Sequence, residues 1–60
     1  MNKKQRTKII RKNAREQIKI YKREIKEIGR GMPEAIDYEA KIEGIRQFLI
    51  NLEKIGIITE

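Results

Sequence analysis

The chain has no cysteine, no histidine, no serine, no valine and no tryptophan, and only one phenylalanine and one proline. Without cysteine there is no disulfide or thiol chemistry, and without cysteine and histidine the usual zinc sites are excluded. Without histidine the chain also lacks the commonest acid–base catalyst. Serine nucleophiles are absent, and the two threonines, Thr7 and Thr59, sit near the ends of the sequence. The glycines at 29, 31, 44 and 56 match neither a phosphate loop nor a dinucleotide fingerprint. Glu39 and Glu43 are four apart, but the Glu-x-x-His motif of a metal-binding helical bundle is missing. The expectation is a non-enzymatic protein without metal, cofactor or small-molecule substrate.

Long apolar runs are also missing. Nothing approaches the roughly 20 residues of a membrane span, and the first residues lack the apolar core of a signal peptide. A cytoplasmic location and no membrane partner are expected. An amphipathic helix lying on an anionic membrane is disfavoured, because the apolar face of the basic segment carries no Trp or Phe anchor.

What is present is isoleucine, 13 of 60 residues, together with 40 % charged residues. The abundance of isoleucine, with no Val, Trp or Ser, fits an AT-rich genome such as that of a low-GC bacterium, its phage or a plasmid. Charge at this density implies disorder when apolar residues are scattered, but here they are periodic. Ala14, Ile18, Tyr21, Ile25, Ile28 and Met32 recur at spacings of 4 and 3, the signature of a helical seam. Tyr38, Ile42, Ile45, Leu49 and Leu52 form a second seam, broadened by Phe48 and Ile55.

Between the seams lies the one cluster of helix breakers, Gly29-Arg30-Gly31-Met32-Pro33. A glycine past a helix end takes the left-handed cap, and proline cannot continue the helix. The second helix then starts either with Pro33 in its first turn or with Asp37 as its N-cap. The spacing predicts an all-α antiparallel hairpin: a helix over about 5–29, a turn over 29–33 and a helix over about 34–55, with Ile57–Glu60 as a short tail. All 60 residues form one domain.

One hairpin makes a thin core, and chains this short bury only about 60 % of the surface they expose when unfolded. Ile9, Ile20, Ile36, Ile50 and Ile57 fall off the shared seam, and Ala40 and Gly44 offer a flank that another backbone can approach. Glycine in mid-helix otherwise costs roughly 1 kcal/mol relative to alanine. A homodimer forming a four-helix bundle is expected, with Ile9, Ile20, Ala40, Gly44 and Ile50 at the protein interface.

The net charge of +6 is unevenly divided. Residues 1–31 hold twelve Lys/Arg against three Glu, net +9, and residues 32–60 hold three basic and six acidic residues, net −3. On the first helix Lys4, Lys8, Arg11, Arg15, Lys19, Lys22, Lys26 and Arg30 make one stripe, with Lys12 on its border and the glutamates on another flank. Three uses of this stripe compete: a solvated face, contact with nucleic-acid phosphates, and docking on an acidic protein surface, including Glu39, Glu43 and Glu53 of a partner subunit. Nothing in it reads bases, and no helix-turn-helix pattern surrounds it. Arg11-Lys12-Asn13-Ala14-Arg15 does not begin a basic leucine zipper either, because the helix stops at Gly29 after about two heptads. The expected function is a small regulatory binding protein of the antirepressor, inhibitor or adaptor kind that docks on a larger macromolecule. The alternative is a nucleic-acid-binding accessory protein using the first helix.

Overall fold

The computed structural model describes all 60 residues as two packed helices, α1 (Lys3–Ile28) and α2 (Pro33–Lys54), with no strand. The expected hairpin is present. Its boundaries follow from local chemistry. Asn2 and Gln5 form a capping box: the Gln5 amide donates to Asn2 Oδ1 at 2.8 Å, and the Asn2 amide donates to Gln5 Oε1 at 3.1 Å. This is why α1 starts at Lys3 rather than near residue 5. Two otherwise orphan amides at the helix start are thereby satisfied. Asn2→Ala is therefore expected to cost about 1 kcal/mol, lowering the thermal midpoint by about 4–8 °C. Melting followed by circular dichroism reads this directly; an unchanged midpoint would mean that the first turn is frayed.

At the other end Gly29 takes φ 103° and donates its amide to the Ile25 carbonyl at 2.8 Å. Gly31 also has positive φ, so the chain reverses within four residues. Pro33 is the first residue of α2 and Met32 its N-cap, which decides between the two possible starts. Met32 consequently does not continue the first seam. It is 49 % exposed in the turn.

The helices run antiparallel over a rod of 41 × 17 × 13 Å. Near the turn Ile25, Ala35 and Ile42 form the buried cluster, with Ile18, Tyr21, Ile28 and Tyr38 packed against it. Ala35 is fully buried there, its small side chain allowing the helices to approach. The Tyr21 and Tyr38 rings meet at 5.4 Å between centroids, tilted by 40°, and Lys41 Nζ lies 5.7 and 5.1 Å from them. An ammonium over two rings is a favourable charge–quadrupole contact.

The seam expected for α2 faces α1, but Phe48 and Ile55 do not broaden it. They are 58 % and 68 % exposed. A single facing helix covers only a narrow arc of its neighbour, and both residues lie beyond that arc.

The last residues are not a loose tail. Gly56, at φ 81°, turns the chain after α2, and the Ile57 and Ile58 amides both donate to the Leu52 carbonyl. Ile58 is thereby returned to the open end of the hairpin, where it is 2 % exposed, the most enclosed large side chain in the molecule. The Thr59 amide donates to Thr7 Oγ1 at 2.9 Å, and the Thr7 hydroxyl donates to the Lys3 carbonyl at 2.8 Å. Thr7, on the α1 seam, is buried to receive this strap.

Candidate polyanion-docking face

The α1 cations are placed by helical geometry. At about 100° per residue, Lys4, Lys8, Arg11, Arg15, Lys19, Lys22 and Lys26 fall within an arc of about 80°, roughly a third of a turn from the buried seam. From Lys4 to Lys26 the row is about 33 Å long at 1.5 Å per residue. All but Arg11 are exposed. The chain makes only two ion pairs, Arg11–Glu53 and Arg46–Glu43. Six members of the row therefore have no carboxylate within 4.0 Å.

Arg11 is used inside the fold. Its guanidinium donates to Glu53 Oε1 at 2.6 Å and, from the same nitrogen, to the Thr59 carbonyl. It ties α1 to the end of α2 and to the strap, and both partners of the pair are about three-quarters buried. Glu53 is thus committed within its own chain, as Glu43 is to Arg46 at 2.8 Å. Of the three α2 acids weighed as acceptors for a second subunit's stripe, only Glu39 lacks an ion-pair partner.

The two sides of the hairpin differ. On one, a shallow groove near the turn is lined by Lys22, Lys26 and Arg30 of the basic segment and by Glu39, Glu43 and Arg46 of α2, over a floor of Ile25 and Ile42. On the other, a smaller groove is lined by Ile10, Ala14, Ile45, Phe48 and Leu49, with Asn13 and Gln17 at its rim. Ile9 is four residues before Asn13 and Ile20 three after Gln17, which puts both, 45 % and 46 % exposed, on this apolar side. Gly44 precedes Phe48 by four and Ala40 precedes Gly44 by four, so they continue outward from the same side. Ile50, seven residues after Glu43, lies on the opposite, charged side. The five interface residues expected from sequence are thus not brought together. Four share one side of the hairpin and Ile50 does not.

No family model, no characterised protein and no solved structure matches this chain.

No enclosed chamber and no group of three or more Asp or Glu suited to a metal are present. No helix is long and apolar enough to cross a membrane. A Cβ added at Gly44 would meet nothing within 4 Å, so nothing within the chain itself requires glycine there. The Arg11–Glu53–Thr59 tie and the Lys41–tyrosine stack are among the features not anticipated from the sequence. Neither has a local signature, because each joins residues that only the closed hairpin brings together.

Proposed function

We propose that this chain is a small, non-enzymatic regulatory binding protein of the cytoplasm that docks on a larger polyanionic macromolecule through the basic flank of α1. The observation that supports this reading is the row of six exposed cations with no carboxylate of their own chain within 4.0 Å. Like charges four apart each cost a helix a few tenths of a kcal/mol. A face kept only for solubility gains nothing from such a row, whereas an anionic partner offsets it along the whole helix.

The test is recovery of the partner from the native host. Wild-type protein is expected to retain it at low salt and release it at high salt. The variant with Lys8, Arg15, Lys19 and Lys22 changed to Glu is expected to lose both the partner and the regulatory effect, with its helix content unchanged. Equal retention by both proteins would overturn the reading.

Self-association belongs to the same proposal. Only six of 60 residues are buried, and Phe48, Ile9 and Ile20 leave an apolar side uncovered. Two copies meeting on that side would form the four-helix bundle, with Gly44 admitting the second backbone. Sedimentation at micromolar concentration is expected to show a dimer that Phe48→Glu dissociates. A well-folded wild-type monomer would contradict it.

A further inference from the structure

We infer that the partner of the α1 row is the phosphate backbone of a nucleic-acid duplex, gripped without reading of base sequence by Lys4, Lys8, Arg15, Lys19, Lys22 and Lys26 and not by Arg11. The inference rests on the docking reading above and names the chemistry that would satisfy it.

Two observations favour phosphate over protein carboxylates, and two more describe how the contact would be made. The row is regular, about one cation per 5–6 Å of helix axis over about 33 Å, so its complement must be an equally long and regular anion. A duplex is such an anion, with one charge per about 1.7 Å of its axis. A folded protein surface that set out six carboxylates in a matching line would bear the same like-charge repulsion.

The composition of the row points the same way. Five of its six free cations are lysine, and no aromatic residue interrupts it. Protein–protein interfaces are depleted in lysine and enriched in Arg, Tyr, Trp and Phe. Lysine ammoniums are compact, mobile point charges suited to phosphate oxygens. The absence of aromatic platforms selects duplex over single strand, because single-strand binding relies on stacking of bases. The two tyrosines of the chain are instead packed on each other beneath Lys41.

The third observation is that the α1 amides are turned away or engaged, Gln5 being held in the capping box with Asn2. Asn13 and Gln17, the other two amide side chains of α1, line the apolar groove on the other side, so they do not face a duplex held by the row. The fourth is order at the open end. The Asn2–Gln5 capping box holds the first turn, and Lys4 and Lys8 are therefore presented on formed helix rather than on a fraying end.

Arg11 sharpens the inference. It lies within the row by sequence, but its guanidinium is occupied by Glu53 and the Thr59 carbonyl. The row itself thus offers six phosphate contacts, and Lys22 and Lys26, which share their groove with Glu39, are the weakest of them.

The experiment is a fluorescence-anisotropy titration of a labelled duplex of about 20 base pairs, long enough for the row at about 3.4 Å per pair, between about 50 and 200 mM salt. Four to six contacts predict a log–log slope of about −4 to −5, with affinity indifferent to sequence. Changing Lys8, Arg15 and Lys19 to Gln is expected to make the slope shallower by about 3, and Lys41→Gln, on the other side, to leave it unchanged. Arg11→Gln is expected to lower the melting midpoint without changing the slope. Competition with poly-glutamate distinguishes a phosphate partner from a carboxylate one. If it displaces the duplex equally well at equal charge, the partner is an acidic protein, so the duplex inference fails while the docking reading stands. If neither polymer binds at the lowest salt, both fail. Tighter binding of single strand than duplex, or a slope that the triple variant does not move, also overturns the inference.

Discussion

Ile58→Ala is expected to remove about 2–4 kcal/mol of stability, the lost transfer of three carbons plus the cavity they leave. A domain of this size rarely gains more than about 3–5 kcal/mol from its core, so the variant should be largely unfolded or lack its closed end at room temperature. The cause lies in how the strap is held. Gly56 turns the chain, Leu52 accepts two amides, and Ile58 enters the open end at 2 % exposure while Thr59 bonds to Thr7. Removing the side chain therefore unseats the Thr59 carbonyl from Arg11 as well. Ile55→Ala, three residues earlier at 68 % exposure, is the matched control and should change stability by no more than about 0.5 kcal/mol. Urea unfolding of both variants, with hydrogen exchange of the Thr59 amide, makes the comparison. Equal losses, or a Thr59 amide that exchanges freely in the wild type, would show that the strap is not packed.

Ala35→Leu is expected to cost about 1–3 kcal/mol by overpacking the contact between the helices. Ala35 has no exposed surface and sits with Ile25 and Ile42 where α2 begins. A larger side chain there has to displace α1 or adopt a strained rotamer. Alanine and leucine have nearly equal helix propensity, so the cost cannot arise from the helix itself. Ala40→Leu, on the exposed outer side of α2, is expected to stay within about 0.5 kcal/mol when both variants are made in the Phe48→Glu background, where no second copy covers that side. Denaturant midpoints of the two variants test this: a harmless Ala35→Leu would mean that the hairpin is loosely closed at its turn.

The hairpin was legible because its seams carry their own period. Ile18, Tyr21, Ile25 and Ile28 on one helix, and Tyr38, Ile42, Ile45, Leu49 and Leu52 on the other, are the residues that face each other. Gly29, Gly31 and Pro33 mark the reversal through backbone chemistry that only those residue types supply. The capping box has an equally local signature in the Asn2-x-x-Gln5 spacing, but the expected start near residue 5 overlooked it. Exposure of Phe48 and Ile55 was not legible, since apolar residues on a wheel do not reveal how wide an arc the partner covers. Neither was the burial of Ile58 and Thr7, which depends on a closure between residues 52 apart. The candidate face divides in the same way. The basic row follows from the wheel alone, whereas the withdrawal of Arg11 from it depends on Glu53, 42 residues away.

Labour is divided along one helix, in which the seam and Arg11 hold the fold while the lysines beside them have no carboxylate within 4.0 Å. The most direct test is an amide-resolved nuclear magnetic resonance titration of the 60-residue chain with a duplex at low salt. Shifts are predicted along Lys4, Lys8, Arg15, Lys19 and Lys22 and their neighbours, with Glu53, Ile58 and the Phe48 side unmoved. Shifts concentrated on Asn13, Ile45 and Phe48, or none at all, would contradict the account.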